Sequence, residues 1–555
     1  MTHLTLTRCA ALAGAIAMAT AGSASAQPLP EGQRRLVDTV FAAYDKGDSP
    51  GCAVAVYRDG AIAYARGYGL ASLEHRVPIT SKTVFDIGST SKQFTAFSIL
   101  LLERDGKLSI DDDVRKHVPE LQPMDPAVTI RHLLLHTSGL RDYLTLWALA
   151  GMKTENWTTQ ADAVRLAARQ RRGNFPAGAE WLYSNTGYLL LGEIVQRVSG
   201  RSLREFAAAR IFKPLGMTHT FFLDSHTEVI PARATGYAPR EGGGFAVEMS
   251  DFEQTGDGAV QTTVEDLLRW DANFYDPKVG DRALLERAQA VGTLASGKKL
   301  DYAAGLMIGS YRGLPSVRHG GAWAGYRAEL LRFPTVKTSV ACLCNLGSTN
   351  PSALADGVAD IVLASQFTAK AGIASPDSRP AMAVPAGRLE SLAGFYENAA
   401  TGAFRRLTVK DGALAVQGQR LKPVAPDRFV PQAPGVEFYF PPPAAAGGVQ
   451  EMRVIREGRD PEVHRQVVPP AGTTLSDYAG TYYSDELDAT WTLAVRDGRL
   501  TAQVLNDPPS GLTVVKPDVF LSDEGLVLRF ERQAGTVARA SVQAGRVTNL
   551  VFMRR

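Results

Sequence analysis

Cysteine is scarce in this sequence, and neither sign of charge is in clear excess. The 555 residues include four cysteines, and 60 Lys and Arg stand against 57 Asp and Glu, a net charge of +3. The cations are spread along the chain, so neither nucleic acid nor an anionic surface is an expected partner. Long hydrophobic runs are missing as well. Behind Arg8, Cys9 to Thr20 is a short apolar run, about half of what a bilayer span needs. It leads to Ala24-Ser25-Ala26, so residues 1–26 read as a cleavable signal peptide and Gln27 as the start of an exported, periplasmic or secreted chain. Arg8 directly before Cys9 spoils a lipoprotein signal. No later stretch is apolar and long enough to predict a membrane span. Metal-ligand spacing is also absent. His132 and His136 lie four apart, but no Glu follows His132 as a zinc-protease helix requires. Both read as packing or hydrogen-bonded histidines, and neither a metal nor a cofactor is expected. With Cys9 gone, Cys52, Cys342 and Cys344 remain. An odd number in strand-like apolar runs reads as buried free thiols, not as a disulfide framework.

Hydrophobic residues make up 45% and charged residues 21% of the sequence, an ordinary globular balance. The length is too great for one core, so two to four domains are expected. Glu31 to Lys46 has helical periodicity. Cys52 to Tyr57 and Ala61 to Tyr68 are strand-like and flank Asp59-Gly60, a hairpin signal. Strands return over 316–320, 326–333 and 339–346, followed by a helix over 351–367. A sheet built from both ends of this region, with helices inserted between, predicts an α/β domain over 27–367. Residues 368–387 are rich in Ala, Pro, Ser and Gly and read as a linker.

The remainder contains a repeat. Residues 392–417 lie over 478–503 at a fixed offset of 86, with Gly394, Tyr396, Leu407, Asp411 and Gly412 among the identities. Each copy holds several short strands and a Lys/Arg-Asp-Gly hairpin. Two related all-β domains, barrels or sandwiches, are predicted over 388–472 and 473–555.

Three motifs carry chemistry. Ser89-Thr90-Ser91-Lys92 precedes a nearly all-apolar helix, Phe94 to Leu102, which must be buried. Ser89 then sits at a helix start with Lys92 on the same face. Free N–H groups there favour an oxyanion, and a lysine shielded from water can accept the serine's proton. Ser296-Gly297-Lys298-Lys299 has the same spelling but lies in a polar turn that would bury nothing. Tyr183-Ser184-Asn185 precedes a second helix, Tyr188 to Val198. A tyrosine there can pass a proton to a leaving group, and the Asn185 amide can hold a carbonyl. Tyr396-Glu397-Asn398 repeats that spelling in the tail. His319-Gly320-Gly321 ends a strand, where two glycines admit a substrate backbone, and the N–H of Ala322 could complete an oxyanion hole with that of Ser89.

In this order, Ser89-Lys92, Tyr183-Asn185 and His319-Gly321 resemble the Ser-x-x-Lys, Tyr-x-Asn and Lys/His-x-Gly motifs of the penicillin-recognising serine hydrolases, the class C β-lactamase-like family. Val84 to Gly88, Leu133 to Leu140 and Thr263 to Trp270 also look like it. The resemblance covers roughly Leu36 to Ala364. It implies a β-lactamase/transpeptidase-like catalytic domain: an antiparallel sheet flanked by helices, with a helical subdomain. It also implies a covalent acyl-enzyme on Ser89, with Lys92 and Tyr183 catalytic and Asn185, His319, Gly321 and Ala322 in substrate and oxyanion binding. The two tail barrels resemble the architecture of D-aminopeptidases in this family. The expected substrate is a small peptide, amide or ester. The leading reading is a D-aminopeptidase, D-amino-acid amidase or wall-peptide peptidase. The alternatives are a carboxylesterase, a β-lactamase or a non-catalytic wall-peptide-binding protein. The oligomeric state stays open.

Two finer expectations follow from the resemblance. β-Lactamases of this family usually carry Lys-Thr-Gly or Lys-Ser-Gly as the third motif, to hold a carboxylate. His319 and Gly320 remove that charge and hydroxyl, so β-lactamase activity should be weak. In the D-aminopeptidases a barrel loop reaches the site to bind the substrate amine, and Asp485-Glu486-Leu487-Asp488 is the candidate loop here, against the leading reading of a solvated hairpin tip. The tail domains are expected to be separable from a catalytic domain ending near Phe367.

Overall fold

The computed structural model describes residues 27–368, 379–431, 435–443, 448–456 and 460–555. The signal-peptide reading of 1–26 and half of the 368–387 linker lie outside the described residues.

One sheet organises the first domain. Its strands are β1 (Cys52–Arg58), β2 (Ala61–Tyr68), β3 (Met307–Tyr311), β4 (Leu314–Trp323), β5 (Tyr326–Phe333) and β6 (Thr338–Cys344), in the order β3-β4-β5-β6-β1-β2. β1 and β2 turn at Asp59-Gly60, both with positive φ, as the hairpin signal predicts. Neighbouring strands of the sheet pair antiparallel throughout, and both ends of the domain meet where β1 pairs with β6. Both faces are covered, which explains why β1 is apolar at every position instead of alternating. Cys52, Val54 and Val56 point to a layer containing Val37, Phe41, Val358 and Val362. Ala53, Ala55 and Tyr57 point the other way, into the larger helical core.

The first layer comes from helices α1 (Glu31–Val40) and α5 (Pro351–Val362). The helical core contains α2 (Lys92–Arg104), α3 (Tyr143–Leu149) and α4 (Asn185–Ser199). In α2, Lys92 to Leu102 are all buried, so the apolar run is the central helix of the domain.

The cysteine reading needs correction. Cys52 and Cys344 are joined by a disulfide, and only Cys342 is free among the described residues. The two partners stand 292 residues apart in sequence. The pairing of β1 with β6 sets them directly opposite one another, a proximity that spacing along the chain does not reveal.

Both copies of the repeat form closed antiparallel barrels, over strands Gly394–Asn398 to Glu462–Val467 and Gly480–Ser484 to Val547–Arg554. The offset of 86 is visible in the bonding. Tyr396 donates its hydroxyl to Leu392 O at 3.0 Å, and Tyr482 donates to Tyr478 O at 2.9 Å. Asp411-Gly412 and Asp497-Gly498 both turn through positive φ. The Tyr396 motif lookalike is therefore a barrel-core tyrosine.

The barrels differ in what they touch. The first has its own core around Tyr396, Phe429, Phe438 and Phe440 and meets the second barrel through Phe404, Val515, Leu521 and Val527. The second barrel shares one continuous apolar core with the helical part of the catalytic domain. The Trp491 indole donates to Leu149 O at the end of α3 at 2.8 Å. The shared core argues against a freely separable second barrel.

Candidate active site

Ser89 lies in a 3-10 turn, Gly88–Ser91, which runs directly into α2, so that Lys92 is the first α-helical residue. In a 3-10 turn positions three apart eclipse, which places the two side chains together. Lys92 Nζ is 3.0 Å from Ser89 Oγ, 2.9 Å from Asn185 Oδ1 and 2.6 Å from the backbone carbonyl of Asp257. Burial pushes the amine's pKa well below the usual lysine value, and Arg546 pushes in the same direction, while the Asp257 and Asp142 carboxylates oppose it. In neutral form the amine has two N–H groups and one lone pair. Asn185 Oδ1 and the Asp257 carbonyl can only accept, so they take the two N–H groups and the lone pair faces the Ser89 hydroxyl.

Asn185 is held from behind. Its N–H donates to Asp142 Oδ2 at 2.7 Å. Asp142 also caps α3 by accepting from Thr145 N at 3.1 Å. Tyr183 precedes α4, its ring tilted by 33° against that of His136 with centroids 4.2 Å apart. Its hydroxyl is buried and has no hydrogen-bond partner among the described residues. Burial pushes the phenol's pKa up, opposed by Ser89 and Arg546. Lys92 Nζ lies 4.9 Å from the centroid of this ring.

The third motif lies along β4. β3 pairs with β4 only as far as Arg318, so 319–323 have one open edge. The hairpin turn Ala324-Gly325 makes Trp323 and Tyr326 its closing pair. The alternation that follows turns the N–H of Ala322 away from β5, toward that edge. A Cβ on Gly321 would lie 1.9 Å from Ile87 O, and one on Gly88 would lie 2.7 Å from Ala322 N. Glycine at both positions lets β4 touch the Ser89 turn backbone to backbone, with the Ser89 and Ala322 segments side by side.

His319 is buried. Its Nδ1 is 2.6 Å from Gly320 O, and its Nε2 is 3.0 Å from the Tyr302 hydroxyl. A carbonyl only accepts, so Nδ1 carries the proton and Nε2 accepts from Tyr302. Burial, with the Lys92 charge adding to it, pushes the pKa down to about 4. The ring is neutral and spends both nitrogens on the protein.

Ser89, Tyr183, Asn185, His319, Gly321 and Ala322 all line one cavity of about 650 Å³; Lys92 lies buried beneath its floor. The decoy Ser296 is exposed on a turn, and its hydroxyl only helps to close that turn, at 3.5 Å from Lys298 N. His132 and His136 each accept a backbone N–H on Nδ1, from Thr129 and Ser184. The sequence reading missed Asp142 and Asp257, which no local pattern marks out, and Arg546, which comes from the last hairpin of the second barrel.

The acidic loop 485–488 does not line the cavity, and it is not a free solvated tip either. Glu486 is bound to the buried Arg141, Asp485 to Arg171 and Asp488 to Arg169. The loop docks the barrel onto the catalytic domain, because that surface presents arginines to it.

The Beta-lactamase family profile matches residues 37–365, more than half of the chain. The chain therefore belongs to the Beta-lactamase family, a class of serine hydrolases. Its relatives include a D-aminopeptidase of Gluconobacter oxydans, 30% identical over 311 residues; the match spans 56% of this chain and 58% of that protein's length. A D-aminopeptidase of Cereibacter sphaeroides is 27% identical over 483 residues, 85% of this chain and 87% of that protein, a match too long to stop short of the barrels. The octameric penicillin-binding protein homologue from Pyrococcus abyssi shares the fold, with a TM-score of 0.58 at 22% identity over 86% of this chain and 98% of that chain. No helix among the described residues is long and apolar enough to cross a membrane.

Proposed function

We propose that this protein hydrolyses amide bonds of small D-amino-acid peptides or amides through an acyl-enzyme on Ser89, after export directed by residues 1–26. The arrangement around Lys92 carries the reading. Two pure acceptors use up the N–H groups of the neutral amine and aim its lone pair at Ser89 Oγ. Ser89 attacks the substrate carbonyl and its proton passes to Lys92. The N–H groups of Ser89 and Ala322 stabilise the oxyanion. Tyr183, a buried phenol beside the amine, relays the proton to the departing nitrogen. Water then enters, Lys92 removes its proton, and attack on the acyl carbonyl releases the acid and restores Ser89.

The D-peptide preference rests on the D-aminopeptidase relatives and the shared barrels. An esterase using the same residues is the second reading, favoured by an uncharged third motif in which His319 is neutral and occupied. The same feature argues against efficient β-lactam turnover. Rates on D-alanine anilide, a nitrophenyl butyrate and a chromogenic cephalosporin should fall in that order. Ser89→Ala should remove turnover by on the order of 10⁴-fold or more and abolish covalent labelling by a fluorophosphonate, while Ser296→Ala changes neither. Normal turnover in Ser89→Ala would overturn the reading.

A further inference from the structure

The second barrel delivers one cation to the reaction centre. Arg546 lies between the strands Thr536–Ala544 and Val547–Arg554, in a tip whose Gly545 has φ 48°. The tip is fixed to the catalytic domain. Arg546 O accepts from Asn174 Nδ2 at 2.9 Å, and Thr548 N donates to Asn174 Oδ1 at 2.8 Å. Arg141 donates to the carbonyls of Thr548 and Asn549, at 3.0 and 2.8 Å. From this platform the guanidinium carbon sits 4.7 Å from the Tyr183 ring centroid, on the cavity wall.

The guanidinium is held there without being saturated. Its ion pair is with Asp142 Oδ2 at 3.6 Å, beyond hydrogen-bond distance, and that oxygen already accepts from Asn185 N. Its side chain donates no hydrogen bond to another described residue and is 42% exposed. Five donors are on offer in a planar fork suited to a carboxylate.

The carboxylates around the cavity are already engaged. Asp86 accepts from Gly88 N and Gln261, Asp257 accepts from Tyr143 and faces Lys92, and Glu329 holds Arg318 and Ser352. Of the other arginines on the cavity wall, Arg318 is paired with Glu329 and Asp356, Arg327 donates to the carbonyls of Ala324 and Tyr326, and the charge of Arg233 acts on Asp86, which leaves Arg546 as the cation beside Tyr183 for an incoming anion. The position beside Tyr183, the group that serves the departing nitrogen, sets this partner on the leaving-group side.

We infer that Arg546 is an anion-binding residue of the active site, contributed by the second barrel, and that it takes the free carboxylate of the leaving amino acid. The inference rests on the proposed acyl transfer at Ser89 for the direction of the substrate. It makes the preferred substrate a peptide cut next to its C-terminal residue, with the charge missing from the third motif supplied by the second barrel.

Binding can be tested apart from turnover. The full chain carrying Ser89→Ala is titrated calorimetrically with D-alanyl-D-alanine and with D-alanyl-D-alaninamide. The acid should bind about ten- to a hundredfold more tightly than the amide, the range for loss of a charge-assisted partner. Adding Arg546→Gln should close that gap, and adding Arg546→Lys should keep part of it. With Ser89 intact, kcat/KM should show the same acid-to-amide ratio and the same loss. Equal affinity for the two peptides, a gap that survives Arg546→Gln, or binding of neither would overturn the inference. If the intact chain cleaves neither peptide while the binding gap and its loss are seen, the proposed reaction fails and the carboxylate site stands.

Discussion

At the scale of single residues, Lys92 is the proposed base, and in that role its protonation would set the pH profile. The base must be neutral, and burial holds its pKa well below the ordinary lysine value of about 10.4. Activity should thus rise with pH on a limb far below pH 10. That limb belongs to Lys92 and the buried Asp257 carboxyl as a pair, since each influences the other. His319, with its pKa down at about 4, stays neutral from pH 5 upward and adds no limb there. Replacing Arg546 with glutamine removes a charge that disfavours the ammonium form, so the limb should move to higher pH. Lys92→Arg should lose activity by several orders of magnitude, because guanidinium cannot serve as a base. The check is kcat/KM against pH for the unmodified chain and Arg546→Gln. A limb near pH 10, or near-normal activity in Lys92→Arg, would remove Lys92 from the role of base.

At the scale of elements, the site is where a strand meets a turn. β4 reaches the Gly88–Ser91 turn only because residue 321 has no Cβ, the nearest backbone oxygen being 1.9 Å from where it would stand. Gly321→Ala should push the two segments apart, costing about 1–3 kcal/mol as overpacking does, and lower kcat more than tenfold by opening the oxyanion pair. Gly320→Ala is the control. Its Cβ would meet a Glu329 carboxylate oxygen at 3.0 Å, a much milder approach than the 1.9 Å to backbone at residue 321. Thermal unfolding and ester hydrolysis of the two variants separate these outcomes; equal activity would deny the close approach its part. Much of this element-level picture was legible in the sequence. The burial of α2 distinguishes Ser89-Lys92 from Ser296-Lys299, and the Asp-Gly turns of the repeat foretell two similar barrels. The Cys52–Cys344 bond was not legible, because it depends on which strands become neighbours. Asp142 was not either: it acts through a cap on one helix and the first N–H of another, and neither contact leaves a pattern along the chain.

At the scale of the whole molecule, the second barrel contributes Arg546 to the wall of the candidate site. The sequence indicates its existence but not its docking, which depends on isolated residues far apart in the chain. Arg141 is the centre of that docking. Its guanidinium is fully buried, bonded to Glu486, Gln170 and the carbonyls of Thr548 and Asn549. Around it lie the exposed pairs Arg171–Asp485, Arg169–Asp488 and Lys153–Asp507, which solvent screens and which contribute little individually. Removing one partner of the buried pair is a different matter, because the other is left charged and unsolvated. Glu486→Ala should destabilise the domain contact by about 3–5 kcal/mol, loosen the hairpin that carries Arg546 and lower activity, although residue 486 does not line the cavity. The triple variant Asp485→Asn, Asp488→Asn, Asp507→Asn should change much less. Limited proteolysis between the domains, followed alongside activity, reads both effects. If Glu486→Ala leaves the contact protected and the rate intact, the shared apolar core alone holds the barrel in place, and Arg141 is a buried ion pair without consequence for the site.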